Sequence, residues 1–297
     1  MSSKNKVALL AACVALGAAS VPWAAEVKPA APAAPANLTA AQIVERNAAA
    51  RGGLAAWHAV QTMSWSGKMD AGVGDSMARS ENYVKQMWAN KKKSTGHGQG
   101  AAEQTNTPVT QQVQLPFVLE MKRPGKSRIE LEFAGKTAVQ VYDGKEGWLK
   151  RPYLNRDDWE PFSAEQLKAS EGKWDMDGPL LDYAAKGTKL ALEGVEKVDG
   201  QNAYKLKLTL RNGTTQHVWI DTHTFLDVKV EGTPRRMDGK LRTVWVTQRD
   251  FKSVQGLMVP SSLETAVDGY PETHKMLIEK IAVNPKLDDS RFTKPKA

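Results

Sequence analysis

Apolar and polar residues alternate along most of this chain. Residues 63–69 read Met-Ser-Trp-Ser-Gly-Lys-Met, with the large apolar side chains at odd positions. Ile129, Leu131 and Phe133 alternate with Arg128, Glu130 and Glu132. Tyr204, Leu206, Leu208 and Leu210 alternate with Lys205, Lys207 and Thr209, and Leu226, Val228 and Val230 with Asp227, Lys229 and Glu231. A period of two is the mark of a strand with one dry and one wet face. So many such segments in one chain predict a wide antiparallel sheet that is apolar on one side.

The strands are predicted at residues 62–70, 80–88, 113–122, 127–133, 137–142, 147–150, 190–198, 203–210, 215–221, 225–231, 241–251, 257–266 and 274–283. Turn chemistry separates them: Arg123-Pro124-Gly125-Lys126, Asp143-Gly144-Lys145-Glu146, Asp199-Gly200, Asn212-Gly213, Asp238-Gly239 and Asp268-Gly269. Residues 91–112, opening on Lys91-Lys92-Lys93, read as a long mobile hairpin loop. Helical signals are few. Thr39 with Gln42 forms a capping box ahead of Ile43 and Val44, Gly52-Gly53 ends that helix, and a short piece with Trp57 follows. Ser163 with Gln166 opens a second helix to about Ser170, and a further helical piece is predicted over residues 179–185. Leu167, Trp174, Met176, Leu180, Leu181 and Tyr183 make this insert apolar. The last stretch, residues 284–297, reads as an irregular cap anchored by Phe292. The fold class is therefore mainly β (α+β), about a dozen strands with three short helices.

The N-terminus changes the picture of where the chain works. Lys4 and Lys6 precede an apolar stretch at residues 7–19 and then small residues, which predicts a cleaved secretory signal peptide over residues 1–25 and a periplasmic or exported product. Residues 26–37 are a Pro/Ala tether, and residues 38–297 form one domain. The lone Cys13 lies in the apolar stretch. It is either a plain core residue of the signal or, in the context Leu10-Ala11-Ala12-Cys13, the acylated first residue of a lipid-anchored form. In both cases the domain has no disulfide, and packing must stabilise it. The 41 Lys and Arg against 33 Asp and Glu give a formal charge of +8. That mild excess suits solubility or an approach to anionic headgroups. The aromatics are not interleaved with basic clusters, so nucleic acid is not an expected partner.

A twisted sheet this wide curls, and curling with the apolar face inward gives a barrel or half-barrel. Three short helices present too few apolar side chains to cover that face. The remainder is either strand side chains packed on one another or a cavity for an apolar ligand, whose burial yields about 0.8 kcal/mol per methylene. The pattern leaves both open.

Signs of catalysis are sparse. His217, Asp221 and His223 share parity, but they read as a wet strand face and a turn, so neither a metal site nor a hydrolase is predicted from them. No Gly-x-Ser-x-Gly elbow and no Gly-rich phosphate loop occurs, and no cofactor is implied.

Four segments carry a resemblance. Leu38-Thr39-Ala40-Ala41-Gln42-Ile43-Val44-Glu45 with Ala50-Arg51-Gly52-Gly53-Leu54 is similar to the start of LolA-like periplasmic outer-membrane lipoprotein-sorting proteins. Tyr142-Asp143-Gly144-Lys145-Glu146-Gly147-Trp148, Asp177-Gly178-Pro179-Leu180-Leu181-Asp182-Tyr183 and Asn284-Pro285-Lys286-Leu287-Asp288-Asp289-Ser290-Arg291-Phe292 resemble later stretches of a subgroup. The resemblance implies an incomplete antiparallel barrel with helices as a lid over an apolar cavity. It further implies a non-enzymatic, monomeric carrier of acylated lipoprotein or lipid, with a transient membrane-surface or export-machinery partner. A sensor or interaction module of the same fold is the other reading.

The candidate cavity residues are Trp65, Phe117, Leu119, Met121, Ile129, Leu131, Phe133, Leu206, Leu208, Val228 and Val230. The candidate lid residues are Ile43, Trp57, Leu167, Trp174, Leu180 and Leu181, with Gly52, Gly53 and Gly178 as hinges. Each apolar position is equally readable as plain core.

Overall fold

A computed structural model describes residues 38–71, 113–133, 135–152 and 156–294. The predicted signal peptide and tether, the strand predicted at 80–88 and the loop predicted at 91–112 lie outside the described residues. Residues Asn37–Ala297 form one compact unit.

Among the described residues, thirteen strands make one antiparallel sheet. They are β1 (Thr62–Ala71), β2 (Val113–Lys122), β3 (Lys126–Phe133), β4 (Lys136–Tyr142), β5 (Gly147–Arg151), β6 (Arg156–Pro161), β7 (Lys189–Val198), β8 (Gln201–Thr209), β9 (Thr215–Asp221), β10 (Asp227–Met237), β11 (Lys240–Val254), β12 (Leu257–Val267) and β13 (His274–Val283). The order is β6-β5-β4-β3-β2-β1-β13-β12-β11-β10-β9-β8-β7. Two meanders therefore join where β1 pairs with β13, and β6 and β7 are the edges among the described residues. The sheet is open, an incomplete barrel.

The periodicity found every described strand but β6. Arg156-Asp157-Asp158-Trp159-Glu160-Pro161 has one large apolar side chain and ends on Pro, as an edge strand tolerates and a pattern search overlooks.

Helices α1 (Ala40–Ala50) and α2 (Leu54–His58) precede the sheet, and α3 (Ala164–Ser170) sits in the insert between β6 and β7. Both predicted capping boxes form. The Gln42 and Gln166 amides donate to the Thr39 and Ser163 hydroxyls, and each glutamine side chain accepts from its cap's N–H. The piece predicted as helix at 179–185 is instead a run of turns, with Asp182 at φ 53° and Gly178 at φ 66°. The C-terminal stretch makes a short 3-10 turn, Asp289–Phe292, whose Phe292 is fully buried beside β3 and β4.

Candidate functional site

One face of the sheet is covered by α1, α2 and the insert. On this inner face the apolar side chains fall into two clusters. The first joins Met63, Phe117, Leu119, Met121, Ile129, Leu131, Leu257, Val259, Met276 and Ile278 from β1–β3, β12 and β13 with Trp57, Val60 and Leu181 from above. Trp65, Met69, Leu115, Trp174, Met176 and Leu263 pack on it while keeping some exposure. Register explains the grouping, because Trp65 sits opposite Leu119, Leu119 opposite Ile129, and Phe117 opposite Leu131. The second cluster joins Tyr204, Leu206, Leu208, Val218 and Ile220 from β8 and β9 with Ile43, Val44 and Leu180; Val230 packs at its margin. Adjacent leucines of the insert, Leu180 and Leu181, thus enter different clusters.

The structure therefore brings together Trp65, Phe117, Leu119, Met121, Ile129, Leu131, Trp57, Trp174 and Leu181 in one group. It brings together Leu206, Leu208, Val230, Ile43 and Leu180 in the other. Three predicted residues fall elsewhere. Val228 packs with Val198, Ala203, Trp219 and Trp245 on the outer face. An irregularity between Asp227 and Lys229 in the β9–β10 register breaks the alternation, so Val228 and Val230 do not share a face. Phe133 is 43% exposed at the end of β3, past the covered region. Leu167 is half-buried on α3, which buries no residue and adds little to the lid.

Polar contacts tie the insert to the rest. Arg123, from the β2–β3 turn, makes a two-pronged pair with the Asp177 carboxylate, Nη1 donating at 2.5 Å, and also donates to the Val60 and Trp57 carbonyls. Arg51 donates to the Asp177 carbonyl at 3.0 Å and lies over the Trp57 ring. Lys186 bridges the Asp175 carboxylate and the Gly178 carbonyl. Burial pushes the Asp177 carboxyl up, but the hydrogen bond and charge of Arg123 outweigh it and hold that group below the ordinary carboxylate range. The same hydrogen bond raises Arg123. In the sequence, residues 123–126 carry only a turn signal. A partner 54 positions away leaves no local signal.

Of the predicted hinges, Gly52 is fixed by close packing. A Cβ there would stand 2.4 Å from the Gly256 carbonyl oxygen. Gly178 has only Arg51 Nη1 nearby, at 3.7 Å from such a Cβ.

Two adjoining cavities open at the root of the insert. One, about 320 Å³, is lined by Met121, Trp174 and Met176 and rimmed by Arg123, Lys126, Asp177 and Lys186. The other, about 390 Å³, lies between Tyr142, Gly144, Glu171 and Gly172. Pro124, Gly125 and Gly172 border both. These volumes stand at the small end of ligand pockets, about 300–1,000 Å³. The Trp65 indole N–H, on the first cluster, and the Tyr204 hydroxyl, in the second, are buried without a hydrogen-bond partner among the described residues.

The outer face separates the three residues considered for hydrolysis. His217 lies between Glu231, at 2.5 Å from Nδ1, and Glu193, at 3.3 Å from Nε2. Asp221 accepts from the backbone of His223 and Thr224 and from the Thr224 hydroxyl. It is a turn cap, and the three do not form a catalytic group. Among the described residues, no group of three or more His, Cys, Asp or Glu could hold a metal ion. No described helix is long and apolar enough to cross a membrane.

This architecture, a wide open sheet with a helix-covered apolar face, has solved counterparts. A LolA superfamily protein from Nitrosomonas europaea superposes with a TM-score of 0.50 at 15% identity, covering 87% of this chain and 99% of that one. The fold is LolA-like. A DUF1329 family protein from Desulfovibrio piger gives 0.53 at 13% identity over 86% of this chain and 98% of that one. A putative outer membrane lipoprotein-sorting protein domain from Vibrio parahaemolyticus aligns over 84% and 94% at 13% identity, with a TM-score of 0.49. No family model matches the chain, and no curated protein does. At these identities the likeness concerns the LolA-like fold alone.

Proposed function

We propose that this protein is a periplasmic, non-enzymatic carrier that takes acyl chains of a lipoprotein or lipid beneath the insert, on the first of the two clusters. Its signal peptide is removed, residues 38–297 act as one domain, and a membrane surface or export machinery is its transient partner. The observation that carries the reading is the composition of that cluster. It contains Met63, Met69, Met121, Met176 and Met276, whereas the second cluster contains no methionine. Unbranched, polarisable methionine side chains adapt to irregular apolar partners. The cavity beside Met121, Trp174 and Met176 lies at the edge of this cluster, where a chain could enter as the insert lifts. The unpaired Trp65 N–H supplies a donor for an ester or amide carbonyl.

A second reading, an interaction module of the same fold, is favoured by the filled interior of both clusters. Native mass spectrometry of protein purified from its own periplasm, with lipid extraction, separates them. Co-purifying acylated species are the expected result. A ligand-free interior with a stable protein partner would overturn the carrier.

A further inference from the structure

We propose that the tip of the β10–β11 hairpin is a docking element for an anionic phospholipid surface. The inference names the membrane contact left unspecified in the carrier reading, and it does not depend on what the interior holds. β11 pairs with β12 from Val244 onward, and β10 pairs with β9 only as far as Val230. The pairs Arg235–Arg242, Arg236–Leu241 and Met237–Lys240 therefore extend past both neighbouring strands. From the last bond to the neighbouring turn, Asp268 N–H to the Thr243 carbonyl, the projection is on the order of 10 Å at about 3.3 Å per residue.

This tip concentrates two features. Leu241 is the most exposed large hydrophobic residue described, at 66%. Around it stand Arg235, Arg236, Lys240 and Arg242 against one carboxylate, Asp238. Asp238 accepts a hydrogen bond from the Tyr270 hydroxyl, and Arg242 lies over the Tyr270 ring, 5.9 Å from its centre, so the neighbouring turn braces the hairpin. Arg235, Arg236 and Lys240 have no ion-pair partner among the described residues. The other nearby carboxylates, Asp268 and Glu272, belong to the set-back β12–β13 turn.

Cations ringing an exposed leucine on a narrow projection match an anionic headgroup layer. Each basic residue near such a surface gains attraction within about a Debye length, and the leucine reaches the acyl boundary. An acidic protein partner fits less well, since a stable protein interface needs about 800 Å² per partner and two strand ends offer far less.

The test is vesicle co-sedimentation of the purified protein. Vesicles of phosphatidylcholine alone and of phosphatidylcholine with phosphatidylglycerol serve as probes, with soluble polyglutamate as competitor. Binding only to the anionic vesicles is expected. Each of Arg235→Ala, Arg236→Ala and Lys240→Ala should weaken it about fivefold, and Leu241→Ser about tenfold or more. Circular dichroism and melting should match the parent, because Arg236, Lys240 and Leu241 are exposed and Arg235 is only half-buried. Equal binding to both vesicle types would overturn the proposal. So would undiminished binding by the Arg236→Ala/Lys240→Ala/Leu241→Ser variant, or complete competition by polyglutamate with Leu241→Ser silent, which would indicate an acidic macromolecule instead. Lipid that co-purifies with the same variants reports separately on the carrier reading.

Discussion

Under α1, the inner face is closed by Ile43, Val44, Leu180, Leu206, Leu208, Val218 and Ile220, none more than 4% exposed. Under the insert, three buried methionines share the face with Phe117, Leu119 and Ile129, and a margin of half-buried Trp65, Met69, Leu115, Trp174 and Met176 surrounds them. The first region is branched, dry and gripped by a capped helix of three turns. The second is pliable, wet at its edge and covered by turns held through rim ion pairs. Two halves of one sheet, built on the same alternation, thus differ in what covers them and in how stiff their side chains are. A close-packed branched core resists any change of volume, while a methionine core accommodates one. Under the proposed carrier reading, the difference would give anchoring to the α1 half and exchange of cargo to the insert half.

The largest expected effect tests the anchor. Leu206→Ala should lower unfolding free energy by about 2–5 kcal/mol, because the surrounding branched side chains cannot collapse into the space. Chemical denaturation measures it. A loss under about 1 kcal/mol would make the two halves equally pliable. Next comes the latch. Arg123→Ala strips the Asp177 carboxylate of a charge-assisted pair and should cost about 1.5–3 kcal/mol. Its effect should be local, with amide exchange rising over residues 171–188 and staying unchanged in β8 and β9. Uniform acceleration would deny the insert its independence.

The same pair sets an acid response. Because Asp177 is held below its ordinary value, its contribution is complete above about pH 4, the unfolded value, and is lost as pH falls through the lower folded value. Exchange in the insert should therefore rise as the pH falls below the ordinary carboxylate value, before the α1 half loosens. The smallest effect is Met121→Leu, which should cost less than about 1.5 kcal/mol. It should nevertheless change acyl-probe affinity, whereas Leu208→Met should leave affinity as it was.

The alternation discloses the sheet and the register parity of Trp65, Leu119, Ile129, Leu206 and Leu208, and the Thr39–Gln42 and Ser163–Gln166 spacings disclose the capping boxes. These signals are local: side-chain period and a cap three residues from its partner. Three things escaped it for physical reasons. The irregularity beside Asp227 inverts parity, so Val228 lies on the face opposite to the one its alternation predicts. Leu257, Val259, Met276 and Ile278 carry the period, yet they join the first cluster only because β13 returns to pair with β1, a closure set by topology. The Arg123–Asp177 latch joins a turn to an insert, and each residue alone reads as an ordinary surface charge.

Methyl resonances of the protein with labelled methionine, leucine, isoleucine and valine, recorded while a medium-chain acyl ester is titrated in, test the central assignment most directly. The account predicts that Met63, Met69, Met121, Met176 and Met276 shift together, with Leu206, Leu208, Val218 and Ile220 still. Shifts confined to the second group, or spread equally over both, would contradict it.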